Sequence, residues 1–117
     1  MKEQNFETVD VENIVLEKWQ NLINTMSKLL NVPTALIMRL NKDCLEVYVK
    51  NKNEKNPYNI GDKETFFNSE LYCETVIKTQ KLLNVPNALK DKKWENNPDT
   101  KLNMINYLGF PINLPNN

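Results

Sequence analysis

The chain has 117 residues, of which 40% are hydrophobic and 26% are charged, and its 15 basic and 15 acidic residues give a net charge of zero. This length suits one domain with a buried core. The balanced charge gives no electrostatic reason to expect nucleic acid or an anionic membrane as a partner. Histidine is absent, which excludes serine and cysteine triads, histidine-ligated haem and two-histidine metal sites built from this chain alone.

Targeting and cofactor motifs are absent as well. Residues 1–10 are polar and acidic, so we interpret them as a flexible N-terminal segment and not as a signal peptide. No apolar run approaches the roughly 18 residues of a membrane span. The two glycines cannot form a phosphate-binding loop, and the two cysteines, Cys44 and Cys73, are too few for a four-thiolate zinc site. We therefore expect no cofactor, no metal and a cytoplasmic protein with reduced thiols.

The first predicted element is a helix over residues 11–31, which Pro33 ends. Its apolar positions form a stripe with an extra column beside it. The stripe is Val15, Trp19, Leu22, Met26 and Leu29, and the column is Leu16, Ile23 and Leu30. Two interpretations remain open. The apolar residues pack on the domain's own sheet, or alternatively the extra column meets a second copy in a dimer.

A β-hairpin is predicted next. Residues 34–40 are apolar on both faces, which is typical of a central strand, and residues 41–43 form a turn. Residues 44–50 alternate between apolar and polar side chains, which indicates a half-exposed second strand. The following residues 51–62 are rich in Asn and Lys and predict a flexible loop.

A second helix is predicted from a cap at Asn68 or Ser69 to about Lys81. Acidic residues in its first turn and lysines in its last turn favour this placement. The short apolar segment 82–85 follows and is stopped by Pro86. This part of the chain therefore predicts a helix that leads into a short extended segment.

The remaining residues predict irregular structure and a final strand. The polar stretch 87–103 has isolated apolar residues, which is typical of one or two short helical turns. Residues 104–112 are the last strand candidate, with Gly109 at its centre. A glycine inside a strand indicates a bulge or a close approach by another group.

Four spaced motifs over residues 71–112 carry a family resemblance. They are Leu71-Tyr72-Cys73-Glu74, then Val85-Pro86 with Ala88, Leu89 and Asp91, then Trp94 with Asn97-Pro98-Asp99, and finally Tyr107-Leu108-Gly109-Phe110-Pro111-Ile112. This region resembles the middle of a GAF domain. More narrowly, it is similar to the branch joined to bacterial histidine kinases and diguanylate cyclases.

The resemblance implies an α+β fold of the GAF type, which is similar to profilin and PAS domains. A central antiparallel sheet with helices on both faces would then form a single domain over residues 11–117. Family members usually continue beyond the segment that matches Pro111 and Ile112, so this chain is expected to lack the last strand or strands and the final helix. An open strand edge is normally covered, and we therefore expect a homodimer.

The resemblance also implies a function, that of a non-enzymatic sensory or regulatory module in bacterial signal transduction. Such modules bind a small molecule between the sheet and a segment that here covers residues 66–104. Output domains of the histidine kinase or diguanylate cyclase kind are implied partners in a longer chain. Carried over to this sequence, the ligand-binding candidates are Arg39, Tyr72, Cys73, Val76, Trp94 and Tyr107. No histidine follows Cys73, so a covalent bilin is not expected.

An alternative function is a ligand-free interaction or dimerisation module. It would use the apolar stripe over residues 15–30 and the open strand edge. A ligand pocket filled by Trp94 and Tyr107 themselves would favour this alternative. Glu70 and Glu74 lie one helical turn apart, but we interpret them as a solvated helix N-terminus and not as a catalytic pair.

Overall fold

The structure is a computed structural model that describes residues 10–113. They contain two α-helices, two short 3₁₀ helices and two antiparallel sheets, which confirms the predicted α+β class. The chain divides into two compact units, one up to Thr65 and one from Phe66 onward. The predicted flexible segment 1–10 lies, apart from Asp10, outside the described residues.

The first unit consists of one helix and a three-stranded sheet. Its elements are α1 (Asn13–Leu29), β1 (Leu36–Asn41), β2 (Cys44–Lys50) and β3 (Lys63–Thr65). The strands are antiparallel in the order β1-β2-β3. The predicted helix and hairpin are thus confirmed. The prediction that the first hairpin strand is central is wrong for this sheet, because β2 pairs with a strand on each side and β1 lies at the edge. β3 directly follows the predicted loop and was not expected.

Helix α1 packs on the sheet of its own unit through one face. The contacting residues are Leu16, Trp19 and Ile23 of α1 and Ile37, Val49 and Tyr48 of the hairpin. Because successive residues turn by about 100°, positions 16, 19 and 23 share a face, while Leu22 and Leu29 point elsewhere. Leu22 is 54% exposed and Leu29 is 79% exposed. The expectation that the column of Leu16 and Ile23 faces a second copy is therefore wrong for these two residues, because they bury themselves on the sheet.

A buried amide fixes the start of the loop that follows β2. The Asn51 side-chain oxygen accepts hydrogen bonds from the Ala35 backbone N–H (2.9 Å) and the Asn56 amide (2.7 Å). Its amide nitrogen donates to the Pro33 carbonyl oxygen (3.0 Å). All three bonds replace water at a fully buried side chain, so Asn51 ties the loop to the segment that precedes β1.

The second unit combines a short helix with a two-stranded sheet. Its elements are α2 (Tyr72–Thr79), β4 (Leu83–Val85), 3₁₀ helices at Ala88–Lys90 and Pro98–Leu102, and β5 (Tyr107–Gly109). β4 and β5 are antiparallel, with Asn84 opposite Leu108. The extended segment and the two helical turns are confirmed, and the last strand is shorter than the predicted 104–112.

The start of α2 differs from the predicted cap. Asn68 and Glu70 have left-handed backbone angles, with φ of 58° and 63°, so the helix begins only at Tyr72. Its N-cap, Leu71, makes no side-chain capping bond. Instead, the Glu74 carboxylate accepts hydrogen bonds from the backbone N–H of Asn68 (2.6 Å) and of Glu70 (3.2 Å). The Glu74 side chain thus holds the turn that precedes the helix, and the Ser69 hydroxyl accepts the Leu71 backbone N–H at 3.3 Å.

Candidate functional site

Three aromatic side chains of the second unit stack on one another. The Tyr72 ring of α2 lies 4.4 Å from the Tyr107 ring of β5, centroid to centroid, at an interplanar angle of 16°. The Trp94 ring lies 5.3 Å from Tyr72. The Tyr107 hydroxyl is 3.7 Å from the Cys73 sulfur. The structure thus brings together four of the six predicted ligand-binding residues, which we call the aromatic cluster: Tyr72, Cys73, Trp94 and Tyr107.

The aromatic cluster forms much of the core of its unit. Tyr72 is 1% exposed and Trp94 is 6% exposed, and both pack with Val85 and Ala88. The Tyr72 hydroxyl is satisfied by donating to the Met104 carbonyl oxygen at 2.8 Å. Burial and stacking of such rings contribute to the stability of the unit. The faces of Tyr72 are therefore occupied by its neighbours.

The polar groups of the aromatic cluster are neutral at physiological pH. Burial raises the pKa of the Cys73 thiol to about 11, and the nearby Tyr107 hydroxyl only partly offsets this. Burial likewise raises the pKa of Tyr107 and of Tyr72 above the ordinary value of a phenol. Since thiolates and not thiols are nucleophiles, Cys73 behaves as a small packing residue at this place.

The other two predicted site residues take structural positions. Val76 is buried on α2. Arg39 belongs to the first unit, where it lies opposite Glu46 in the β1–β2 pair and donates from Nε to the Glu46 carboxylate at 2.8 Å. It also pairs with Asp10, and its guanidinium lies 4.2 Å from the centre of the Tyr48 ring. Arg39 is therefore part of a cross-strand ion pair on the sheet.

This ion pair shifts the titration of Glu46. The hydrogen bond from Arg39 lowers the pKa of the Glu46 carboxyl, and this effect outweighs the opposing effect of burial. Lys63 of β3 adds a second cation at 3.5 Å from the carboxylate. The nearly buried acid is thus kept ionised by partners from both neighbouring strands.

Glu74 is likewise a structural acid and not a solvated one. Partial burial would raise the pKa of its carboxyl, but Lys78 at 2.9 Å and the two backbone N–H donors lower it below the usual value. Because Glu74 is buried, the expectation that it belongs to a solvated helix N-terminus is wrong. Its oxygens are occupied by the turn that contains Asn68 and Glu70.

A surface pocket that was not predicted lies beside Trp94. Its volume is about 350 Å³, and we call it the Trp94 pocket. It is lined by Glu70, Thr75, Lys92, Lys93, Trp94, Asn96 and Asn97. The Lys93 ammonium lies 5.3 Å from the centre of the Trp94 ring, which is within reach of a cation–π contact. The run of lysine, tryptophan and asparagine over residues 92–97 is the sequence signal that could have indicated it.

The Trp94 pocket offers noncovalent recognition chemistry. The residues that line it are two lysines, a glutamate, a threonine, two asparagines and a tryptophan. Among residues 10–113, no group of three or more cysteine, aspartate or glutamate side chains is placed to hold a metal ion. None of the helices over the same residues is long and apolar enough to cross a membrane.

Comparison with known proteins gives no relative from which a function could be transferred. No family model matches the chain, and no curated protein or solved structure matches it. The functional argument therefore rests on the residues and the geometry described above.

Proposed function

We propose that this chain is a non-enzymatic sensory or regulatory module of the GAF type, which binds a small molecule in bacterial signal transduction. The four motifs over residues 71–112 and the α+β class support this proposal. The observation that carries its ligand-binding part is the Trp94 pocket of about 350 Å³. Small-molecule sites are concave, run to roughly 300–1,000 Å³ and combine apolar rings with a few polar groups.

One wall of the Trp94 pocket is held in place by the packed aromatic cluster. Trp94 is a motif residue that belongs to both the pocket and the aromatic cluster, where Tyr72 and Tyr107 fix its surroundings. A preorganised wall lowers the entropic cost of binding. Thr75 of α2 also lines the pocket, so a ligand would contact a helix directly. A ligand that prefers one position of this helix would shift its equilibrium, which is how a sensor transmits a signal.

A second candidate function is the ligand-free interaction module. Two observations favour it, since Tyr72, Trp94 and Tyr107 fill space with one another and α1 exposes Leu22 and Leu29. Contiguous exposed apolar side chains are typical of protein contact surfaces. In this case the chain would act as a homodimer through the α1 face.

Two measurements on the whole chain distinguish these functions. The first is a thermal shift screen with anionic, cationic and neutral metabolites, and the second is light scattering at high micromolar concentration. If the module is a sensor, at least one metabolite raises Tm in a saturable way. Replacing Asn96, which is exposed and lines the pocket, by alanine weakens that effect, whereas the matched change Asn106→Ala outside the pocket leaves it unchanged.

The contrary results are equally clear. A screen without any ligand contradicts the sensor proposal. If, in addition, the chain is a dimer that the double variant Leu22→Glu and Leu29→Glu converts to a monomer, the interaction module is supported. A monomer that binds nothing contradicts both functions.

A further inference from the structure

We propose that the Trp94 pocket takes a small organic anion that also carries a hydrogen-bond donor, as a hydroxy acid or an amino acid does. This inference rests on the proposed function and names the class of its ligand. The juxtaposition that carries it is a set of three charged residues around one pocket, Lys92, Lys93 and Glu70.

These three charges line the same pocket but do not pair with one another. Within residues 10–113, the side-chain nitrogens of Lys92 and Lys93 lie more than 4.0 Å from every carboxylate oxygen. The Glu70 carboxylate oxygens likewise lie more than 4.0 Å from every lysine or arginine side-chain nitrogen. By contrast, Glu74 and Lys78 of the same unit form an ion pair, with 2.9 Å between the Lys78 nitrogen and a Glu74 carboxylate oxygen. The charges around the pocket are thus available to a ligand that reaches both signs.

The balance of charge determines which ligand is preferred. Two ammonium groups and one carboxylate leave an excess of one positive charge around the pocket. A carboxylate of the ligand can accept charge-assisted hydrogen bonds from Lys92 and Lys93. Glu70 accepts hydrogen bonds when ionised, so it favours a hydroxyl or an ammonium on the same molecule. A simple anion without a donor would leave Glu70 without a partner.

The backbone around Glu70 is held in an uncommon conformation. Its φ of 63° lies in the left-handed region, which residues other than glycine seldom adopt. The Glu74 carboxylate supports this conformation by accepting the Glu70 backbone N–H at 3.2 Å. The Lys93 ammonium lies 5.3 Å from the centre of the Trp94 ring, and this contact favours a position of the ammonium beside the indole. The Glu70 backbone and the Lys93 ammonium are thus each held by a neighbouring group of the same unit.

The test uses three four- or five-carbon probes: succinate, L-malate and L-glutamate. Affinity is measured on the whole chain by calorimetry and by NMR shift changes at low salt. We expect saturable binding of malate and glutamate, stronger than that of succinate. The double variant Lys92→Ala and Lys93→Ala is expected to weaken this binding about tenfold or more, since it removes two charge-assisted bonds. The matched control Lys101→Ala changes an exposed lysine outside the pocket and should leave affinity unchanged.

A second variant tests the role of the donor. Glu70→Gln should reduce the advantage of malate and glutamate over succinate while succinate itself still binds. If succinate and malate bind equally to the original chain, the donor part of the proposal is wrong. If Lys101→Ala costs as much as the double variant, the effect is one of general charge and the site assignment is wrong.

The failure of this inference can be told apart from the failure of the proposed function. A chain that binds a neutral or cationic metabolite in the thermal screen, but none of the three anions, remains a sensor with a different ligand class. An anion that binds with full affinity to the double variant contradicts this inference, because the two lysines then do not recognise it, although the chain still binds a small molecule. A chain that binds no small molecule at all contradicts both proposals.

Discussion

The Tyr107 ring lies directly over Gly109, two residues further along β5. A Cβ atom at Gly109 would lie 2.1 Å from the Tyr107 hydroxyl oxygen and 2.5 Å from the Cζ atom. Residues two apart on a strand share a face, and the missing side chain lets the ring lie along the strand. This confirms that Gly109 marks a close approach, which in the structure comes from its own strand.

We expect the substitution Gly109→Ala to destabilise the second unit. The added methyl group must displace the Tyr107 ring, which then loses its stacking on Tyr72 and its contact with Cys73. Overpacking of this kind costs about 2 kcal/mol, which urea unfolding measures as a lower free energy of unfolding.

The background Tyr107→Leu provides the control for this prediction. There the ring is already absent, so alanine at position 109 should cost much less than in the original chain. A double-mutant cycle measures the difference directly. Equal costs in both backgrounds would show that the glycine is required for another reason, such as backbone geometry.

Local sequence patterns were sufficient to predict α1 and the hairpin. The helix and the second hairpin strand have regular apolar spacing, because one face of each packs on the other. β3 could not be predicted in this way, since all three of its residues are exposed and it pairs with β2 through its backbone. The start of α2 was misplaced because Asn68 and Glu70 adopt left-handed backbone angles, which delay the helix until Tyr72.

The candidate site was only partly accessible from the sequence. The resemblance named the residues of the aromatic cluster, but it did not predict that Tyr72 would stack on Tyr107. Such stacking depends on contacts between residues far apart in the chain. The Trp94 pocket was missed because separate segments around residues 70, 75 and 92–97 form it together.

Glu74 should make stability depend on pH in the acidic range. Its pKa is lower in the folded chain than in the unfolded chain, so its contribution is complete above the unfolded value of about 4.3 and is lost as pH falls through the lower folded value. Glu74→Gln should therefore cost about 1 kcal/mol at pH 7 and progressively less below pH 4. Urea unfolding at several pH values measures this difference.

Glu95→Gln is the matched control for the Glu74 variant. Glu95 is exposed, and no ion pair within residues 10–113 involves it. The stability of this variant should follow that of the original chain at every pH. A cost of Glu74→Gln that stayed constant down to pH 3 would contradict the assigned ionic role and indicate lost packing instead.

Arg39 should matter for stability and not for ligand binding. Removing it by Arg39→Ala leaves the nearly buried Glu46 carboxylate with Lys63, at 3.5 Å, as an ion-pair partner. We expect a loss of about 2 kcal/mol, since breaking a largely buried pair exposes the desolvation cost of the other charge. The second change Glu46→Gln should recover part of this loss. Unchanged stability together with weaker ligand binding would instead support Arg39 as a pocket residue.

The two cysteines should differ in their reactivity. With Cys73 as the remaining thiol in a Cys44→Ser variant, alkylation by iodoacetamide at pH 8 should be about a hundredfold slower than in an unfolded chain, because a pKa of about 11 leaves little thiolate. Cys44, tested in a Cys73→Ser variant, should react faster, although burial and the neighbouring Asp43 also raise the pKa of its thiol. In denaturant both variants should react at the same rate. Rapid labelling of Cys73 in the folded chain would contradict the raised pKa of its thiol.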